Sequence, residues 1–307
     1  MSDRSSRSRT LRIGERLYDC SERTLIMGVL NVTPDSFSDG GRYLETGRAV
    51  ERAGEMVRQG ADIVDVGGES TRPRSSAYGE GADPIPAEEE LRRVLPVIER
   101  LREIVDVPLS IDTTKAEVAE GALRAGAVMV NDVSGFRFDP RMPRVIAEAG
   151  ASAVVMHTKG PPKTMQQDVS YDDLFGQIGE YLREGLALGE QEGVREMVID
   201  PGIGFGKTPR DNLRLLVGLR RFRSLGRPIM VGPSRKSFLG AILDLPVEER
   251  LEGTLAAVVA AILSGADIVR VHDVREVKRA VQVADALRET MLAEQLEQRT
   301  PSWNSSE

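Results

Sequence analysis

One cysteine, Cys20, occurs among the 307 residues of this sequence, so no internal disulfide can form. Because disulfides belong to oxidising compartments, we expect a protein of the reducing cytoplasm. No apolar run approaches the roughly 20 residues that a membrane-spanning helix needs. Aromatic residues make up 4% of the chain and the net charge is −7, so base-stacking platforms and a broad basic surface are both poorly supplied. Neither a membrane nor nucleic acid is an expected partner.

Eight short apolar runs recur along the chain, and most of them stop at a polar residue. The runs end at Asn31, at Glu69 and Ser70, at Asp112, at Asn131 and Asp132, at His157, at Asp200, at Ser234 and Lys236, and at Arg270 and His272. Segments with helical periodicity separate the runs. This alternation predicts an α/β protein, a single (β/α)8 TIM barrel with the active site at the C-terminal ends of the strands. A doubly wound open sheet is the alternative.

The helical segments follow from apolar spacings of three and four residues, and several of them stop at glycine. We predict helices over residues 48–59, 87–105, 115–124, 171–191, 248–263 and 274–287, and expect the fourth to be the longest. The barrel should span residues 24–290, between a partly disordered arm over 1–23 and a polar tail over 291–307. The opening letters, MSDRSSRSRT, lack the apolar core of a secretory signal.

The side chains of four strand-end residues indicate what kind of ligand the site could bind. Two carboxylates, an amide and an ammonium group come from Asp112, Asp200, Asn131 and Lys236. Such a set suits a planar heterocycle with an amidine edge, such as a pterin or guanine ring, whose N–H groups would face the acids. For any one of these residues, a helix cap or a pair with a nearby arginine is an equally good explanation.

A second group of residues suits an anion. Arg270 and His272 lie two apart in a predicted strand, so both side chains point to one face and could bind phosphate oxygens. The segment Ser234–Ser237 carries two hydroxyls and two cations at the start of a short helix, which also favours an anion. Asn31 could be a ligand of Mg²⁺, although asparagine after a strand is more often a turn residue. For His157 a structural role is the better explanation.

The segment PGIGFGKT at residues 201–208 is close to a phosphate-binding loop but has Pro201 where the first glycine should stand. We interpret it as a glycine turn that lets a planar ligand lie close to the backbone beside Asp200. Two long loops, over residues 31–41 and 70–86, should lie over the same rim of the barrel. No serine has an obvious base partner and Cys20 precedes the barrel, so we expect no activated nucleophile.

The motifs together resemble one family. The chain contains, in order, NVTPDSFSDGG, DVGGESTRP, SIDTTK, VNDVSG, PKTMQ, IDPGIGFGK, SRKSFLG and RVHD. This series is similar to that of the dihydropteroate synthases, the pterin-binding barrel enzymes of folate biosynthesis. The resemblance covers about residues 24–287.

The resemblance implies that 6-hydroxymethyl-7,8-dihydropterin pyrophosphate and 4-aminobenzoate condense to dihydropteroate, with release of pyrophosphate and with Mg²⁺ as cofactor. It also implies a homodimer. By position, the pterin would be bound by Asp112, Asn131, Asp200 and Lys236, the pyrophosphate by Asn31, Arg270 and His272, the metal by Asn31, and the aminobenzoate by Phe37, Thr71, Arg72, Pro73 and Ser237. The catalytic residues would be Asp39, Lys236, Arg270 and His272.

The sequence departs from the family at two places. Arg74 replaces the glycine that usually follows the TRP motif, and the residues after His157 also differ from the commoner form. Two other functions stay open: a methyltransferase that passes a folate methyl group to a corrinoid protein, and a non-catalytic paralogue that binds pterin. A methyltransferase would not need the SRKS and RVHD motifs, and a paralogue should have lost loop acids or cations.

Overall fold

The structure is a computed structural model that describes residues 9–32, 42–70 and 84–299. Ten strands occur in the described part: β1 Thr10–Ile13, β2 Arg16–Asp19, β3 Leu25–Asn31, β4 Ile63–Gly67, β5 Leu109–Asp112, β6 Met129–Asp132, β7 Ser152–Met156, β8 Met197–Asp200, β9 Met230–Val231 and β10 Ile268–Val271. The helices there are α1 Arg42–Gln59, α2 Ala87–Ile104, α3 Ala116–Ala125, α4 Met142–Glu148, α5 Leu174–Glu192, α6 Pro209–Val217, α7 Ser237–Leu243, α8 Leu251–Leu263 and α9 Val274–Arg299.

The eight strands from β3 to β10 form one parallel sheet. Its order is β8-β7-β6-β5-β4-β3-β10-β9, so each strand lies beside its neighbour in the sequence and β10 returns to pair with β3. Ile199 and Ile229 bridge the two outer strands, and the Ile199 N–H donates to the Pro228 carbonyl at 3.0 Å. The sheet is thereby closed into a cylinder. The predicted TIM barrel is confirmed, and the open sheet is excluded.

Alternation along the strands separates two apolar layers. One set of strand residues packs with the helices around the barrel, as Ile26, Val64 and Ile111 do. The other set faces the interior and fills its amino-terminal half; its members are Leu25, Met27, Ile63, Met129, Val154, Val198, Met230 and Ile268. Because strand side chains alternate, positions two residues further along face the same interior. The barrel mouth is therefore lined by inward-facing residues nearer the carboxyl ends of these strands.

A hairpin closes the amino-terminal end of the barrel. Strands β1 and β2 pair antiparallel, and Leu11, Ile13 and Cys20 are buried in the same cluster as the interior strand residues. The Arg12 N–H also donates to the Glu196 carboxylate at 3.3 Å. The arm predicted over residues 1–23 thus contains an ordered plug.

Two helix predictions need correction. Helix α5 has 19 residues and is shorter than α9, which has 26, so the prediction that residues 171–191 form the longest helix is wrong. Helix α9 also continues past Leu287 into the predicted polar tail, because residues 288–299 are rich in the good helix formers Ala, Leu, Glu, Gln and Arg. Within the described ranges, no helix combines the length and apolar character needed to span a membrane.

Candidate active site

Arg270 on β10 joins residues from three other strands at the barrel mouth. Its Nε donates to Asp65 Oδ2 at 2.7 Å, and its Nη2 donates to Asp112 Oδ2 at 2.6 Å. Asn131 donates from Nδ2 to the same Asp65 oxygen at 2.9 Å. Strands β4, β5, β6 and β10 therefore contribute to one buried polar cluster.

Asp65 is a member of this cluster that sequence reasoning missed. It lies in the middle of the second apolar run, whereas the predicted site residues stand at or beyond the ends of their runs. A signal was available, because Asp65 follows Ile63 at strand spacing and therefore points to the barrel interior. An acid at an inward position of a buried strand needs a partner, and Arg270 provides it.

The cluster has acceptor atoms without partners. Among the described residues, Asp65 Oδ1, Asp112 Oδ1 and Asn131 Oδ1 are buried and accept no hydrogen bond. Buried polar atoms in native proteins are nearly always paired, so three unpaired acceptors within one cluster indicate a place for donors from a ligand. Burial also raises the pKa of Asp112, and the neighbouring Arg270 opposes that rise.

Asp200 ends β8 and stands at the start of the glycine turn. Its Oδ1 accepts a hydrogen bond from the Gly202 N–H at 2.7 Å. Burial raises the pKa of Asp200 to about 6, while the Gly202 bond and the charge of Lys236 act in the opposite direction. Gly202 has a φ of +72°, and a Cβ there would lie 1.9 Å from the His157 carbonyl oxygen, so glycine is required.

Lys236 reaches the cluster from the loop after β9. Its Nζ lies 4.1 Å from the centroid of the Phe205 ring, a cation–π contact. Burial lowers the pKa of Lys236 to about 8, as does Arg270, whereas Asp200 and Asp112 raise it. A Cβ on Gly204 would lie 2.9 Å from Lys236 Cδ. Gly204 thus leaves room for the side chain of Lys236, and the role of the glycine turn toward a planar ligand stays a prediction.

His272 is bonded to a serine. Its Nδ1 lies 3.0 Å from Ser234 Oγ, and the same oxygen accepts from the His272 N–H at 3.3 Å. Burial, and then the charge of Arg270, lower the pKa of His272 to about 3. The imidazole is therefore neutral near pH 7, so the expected cationic pair has one permanent charge, on Arg270. Ser234 therefore has a histidine neighbour that the sequence did not reveal, and the expectation that no nucleophile is activated stays a prediction.

Arg235 is paired with an acid in the described structure. Its guanidinium binds Asp273, with Nε–Oδ2 at 3.0 Å and Nη2–Oδ1 at 2.5 Å. The residue has a φ of +57°, and its N–H donates to Thr254 Oγ1 at 3.0 Å. This network fixes the loop between Ser234 and Ser237, the first residue of α7. It thereby orients Lys236 toward the barrel.

Asn31 ends β3 beside the cluster. A Cβ built on Gly67 would be 3.8 Å from both Asn31 Oδ1 and Asp112 Oδ2, so the two side chains flank the same glycine. The described residues contain no group of three or more histidine, cysteine or acidic side chains that could hold a metal. A metal ion here would have to take most of its ligands from substrate and water, as Mg²⁺ commonly does.

Five predicted site residues, Phe37, Asp39, Thr71, Arg72 and Pro73, lie outside the described residues. The ends of the second loop are described, and one carboxylate connects them. Glu69 accepts from the Ile85 N–H at 2.9 Å and from Lys115 Nζ at 2.9 Å, and Lys115 also binds Glu90 at 2.6 Å. This loop therefore begins and ends above β4 and β5.

Comparison with known proteins agrees with this geometry. A sequence profile described as Pterin binding enzyme matches residues 27–272. The chain belongs to this family. It is 48% identical to a dihydropteroate synthase of Synechocystis sp. over 280 residues, which cover 90% of this chain and 94% of the relative. It is 44% identical to the dihydropteroate synthase of Escherichia coli strain K12 over 263 residues, which cover 85% and 90%.

Solved structures show the same fold. A Clostridium difficile dihydropteroate synthase, crystallised in the presence of pteroic acid, has a TM-score of 0.81 and 45% identity, and the match covers 88% of this chain and 98% of that one. The Thermus thermophilus enzyme in complex with 4-aminobenzoate has a TM-score of 0.79 and 42% identity, with 91% and 100% covered. The resemblance found in the sequence motifs is confirmed.

Proposed function

We propose that this protein is a dihydropteroate synthase, a transferase that moves the pterinylmethyl group from its diphosphate ester to the amine of 4-aminobenzoate. The products are 7,8-dihydropteroate and pyrophosphate. One observation carries the proposal: in a pterin-binding family member, the hydrogen-bonded cluster of Asp65, Asp112 and Asn131 at the barrel mouth holds three buried acceptors without partners among the described residues. A folate-dependent methyl transfer to a corrinoid protein is not favoured, because Lys236, Arg270 and His272 gather at the same mouth.

The pterin would take up the unpaired acceptors. Its ring N–H groups are donors, and Asp112, Asn131 and Asp200 supply acceptor oxygens, while Lys236 supplies a donor for a ring carbonyl or nitrogen. Asp65 belongs to this set because it shares Arg270 with Asp112. A hydrogen bond to a charged carboxylate contributes about 1.5–3 kcal/mol, so a few such bonds give useful affinity.

The diphosphate would lie beside Asn31, Arg270 and His272. The two bonds of Arg270 to carboxylates use two of the five N–H groups of a guanidinium, so Arg270 can contact an anion as well. Ser234 holds the imidazole of His272 in one orientation. Asn31 would also be the protein ligand of Mg²⁺, and its amide oxygen fits that ion's preference for oxygen. When bound, Mg²⁺ would neutralise charge on the departing diphosphate.

The chemistry would proceed by ionisation of the C–O bond. Its electron pair leaves with the diphosphate, and the aromatic amine then donates its lone pair to the pterin-stabilised cation and loses a proton. Arg270 and His272 would stabilise the charge that develops on the leaving group. The barrel would hold the amine in line, and the aminobenzoate would be bound by Phe37, Thr71, Arg72, Pro73 and Ser237. The first loop, which bears the catalytic acid Asp39, and the second loop would exclude water.

A coupled assay tests this proposal. The purified protein should release pyrophosphate in a reaction that needs both 4-aminobenzoate and Mg²⁺, and 7,8-dihydropteroate should appear in equal amount. Pyrophosphate release without 4-aminobenzoate would indicate hydrolysis instead. Pterin binding without any turnover would favour the non-catalytic paralogue.

The assembly that we propose is a homodimer through helices near the carboxyl end. Exposed apolar side chains lie on helices that pack together, with Leu213 and Val217 on α6 and Ile242 and Leu243 on α7. Val217→Glu should shift the protein to a monomer in light scattering. Leu17→Glu is the matched control, because Leu17 is also exposed but lies on the hairpin at the far end of the barrel. A wild-type monomer would contradict the proposal.

We also propose a cytoplasmic location. The sequence has one cysteine, Cys20, which is buried, so the fold uses no internal disulfide, as is usual for proteins of a reducing compartment. Fractionation of cells that express the protein should recover it with cytoplasmic markers.

A further inference from the structure

A buried lysine–histidine pair lies beneath the glycine turn and takes no part in the proposed chemistry. Lys207 Nζ is 2.9 Å from His157 Nδ1 and donates to the Phe205 carbonyl at 2.8 Å. Lys207 is 3% exposed and His157 is 4% exposed. Lysine is rarely buried to this degree unless its ammonium group is paired, as it is here with a ring nitrogen and a carbonyl oxygen.

His157 contacts the turn at both of its ends. Its backbone N–H donates to the Asp200 carbonyl at 2.9 Å, and its ring binds Lys207, seven residues later. Its backbone oxygen packs against Gly202, where a Cβ would be 1.9 Å away and also 3.3 Å from Lys207 Nζ. The main chain and the ring of one residue thus hold the whole span from Asp200 to Lys207.

The protonation states suit this contact. Burial and the charge of Lys207 lower the pKa of His157 to about 2, so its ring is neutral and Nδ1 can accept a hydrogen bond. Burial lowers the pKa of Lys207 to about 7, and the charge of Asp200 opposes that fall. Tyr181 packs edge-on against the His157 ring, with centroids 4.6 Å apart, and limits its rotation.

The turn that is held in this way carries two parts of the pterin site. Asp200 stands at its beginning, with its carboxylate bonded to the Gly202 N–H. Phe205 stands near its end, and the ring of Phe205 lies under the ammonium group of Lys236. The Phe205 carbonyl is the second acceptor of Lys207. A change at Lys207 should therefore displace both the acceptor at Asp200 and the donor at Lys236.

We propose that His157 and Lys207 are positioning residues for pterin recognition, which act by holding the Asp200–Lys207 turn against β7 so that Asp200 and Lys236 face one ring. The inference rests on the proposed function, because it assumes that a pterin binds at this turn. It extends that function to two residues that contact the turn and not the ring.

The test compares variants by their affinity for 6-hydroxymethyl-7,8-dihydropterin, which lacks the diphosphate. Lys207→Met removes both donated bonds while it keeps a side chain of similar length. His157→Leu removes the acceptor, and His157→Asn restores one, because an asparagine Oδ1 occupies the position of a histidine Nδ1. Lys159→Met is the control for charge, since Lys159 also packs against this turn at Gly206 but directs its Nζ to Asp168 at 3.3 Å on the surface.

Calorimetric titration of folded protein should show that Lys207→Met and His157→Leu each weaken pterin binding by about tenfold, the effect of roughly one lost hydrogen bond at the ring. His157→Asn should bind within about threefold of the wild type, and Lys159→Met should bind like the wild type. The KM for 4-aminobenzoate should change little in all four, because the turn does not carry the residues assigned to that substrate.

Three outcomes would overturn the proposal. One is a Lys207→Met protein with a lower melting temperature but unchanged pterin affinity, which would indicate a structural role alone. Another is equal affinity in His157→Leu and His157→Asn, a comparison that still decides the matter if Lys207→Met does not fold. The third is a loss of similar size in Lys159→Met. Failure of the wild type to bind the pterin would instead refute the proposed function.

Discussion

At the amino end of the barrel, the buried carboxylate of Asp267 has a full set of partners. Arg223 binds both of its oxygens, at 2.6 and 3.0 Å, Arg9 binds it at 3.0 Å, and the Ile229 N–H donates to it at 2.9 Å. At the carboxyl end, Asp65 and Asp112 share Arg270. Each of these two acids keeps one buried oxygen without a partner among the described residues.

The difference separates a structural acid from a functional one. Asp267 stands just before β10 and its carboxylate binds Arg223 and Ile229, which precede β9, so its bonds help to close the cylinder. Both of its oxygens have partners, so none is left for a ligand. The acids of the mouth carry the cost of unpaired buried acceptors, which proteins accept where a ligand supplies the donors. The two ends of the barrel therefore differ in whether the buried oxygens of their acids have hydrogen-bond partners, and not in whether buried acids are present.

The largest expected effect comes from removal of the arginine at each end. Arg270→Ala leaves two buried carboxylates without their cation and should lower the free energy of unfolding by about 3–5 kcal/mol. Arg223→Ala should cost less, because Arg9 and the Ile229 N–H still bind Asp267. Urea denaturation measures both, and only Arg270→Ala should also slow turnover of the diphosphate substrate, by far more than it weakens binding of the hydroxymethylpterin that lacks phosphate. Loss of pterin binding in folded Arg223→Ala would break the comparison.

The plug at the amino end offers a second test. Leu11→Ala removes a fully buried side chain from the interior cluster and should lower the free energy of unfolding by about 3 kcal/mol. Pterin affinity of the folded variant should not change, since the cavity would form far from the mouth. A stability loss below about 1 kcal/mol would show that the hairpin is not part of the core.

Asp200→Asn tests the mouth without a large change in shape. It should weaken pterin binding by one or two charge-assisted hydrogen bonds, each about 1.5–3 kcal/mol. Calorimetric titration measures the affinity, and Asp267→Asn is the paired change at the other end. Unchanged affinity in Asp200→Asn would remove Asp200 from the site.

The pH dependence of binding should identify the same residue. Burial raises the pKa of Asp200 to about 6, so the carboxylate that accepts from the pterin is lost as the pH falls through that value. Loss of the Asp200 carboxylate should lower the affinity about tenfold between pH 7 and pH 5, and this part of the fall should be absent in Asp200→Asn. Asp112, whose pKa burial also raises, should still contribute to the pH dependence of both proteins. The effect of Asp200 on the free energy of unfolding has the opposite sign. Because the pKa of Asp200 is higher in the native protein than in the unfolded chain, its contribution to stability is present below about pH 4 and is lost as the pH rises through about 6.

Ser234→Ala should have the smallest effect. It removes the hydroxyl that orients the His272 ring and should slow turnover of the diphosphate substrate by about 1 kcal/mol of activation free energy. Binding of the hydroxymethylpterin that lacks phosphate should not change. If both fall equally, His272 acts on the ring and not on the diphosphate.

The barrel strands and most of the residues at the barrel mouth could be predicted, because the end of an apolar run is visible in a short stretch of sequence. All eight apolar runs are barrel strands, and Asp112, Asn131, Asp200, Lys236, Arg270 and His272 lie at the mouth as expected. The roles of these residues toward the substrates remain predictions. Asp65 was missed because it lies within its run, and the Ser234–His272 bond because its partners are 38 residues apart.

The sequence alone determined the repeated strand–helix unit, since hydrophobic periodicity and helix-ending glycines act over a few residues at a time. It also determined the order of the motifs and so the family. Only the tertiary structure decided which polar side chains pair with each other. Arg270 binds acids that lie 158 and 205 residues away in the sequence, and His157 contacts Lys207, which lies 50 residues away. Such pairs depend on closure of the sheet, which brings strand ends together that no local pattern relates.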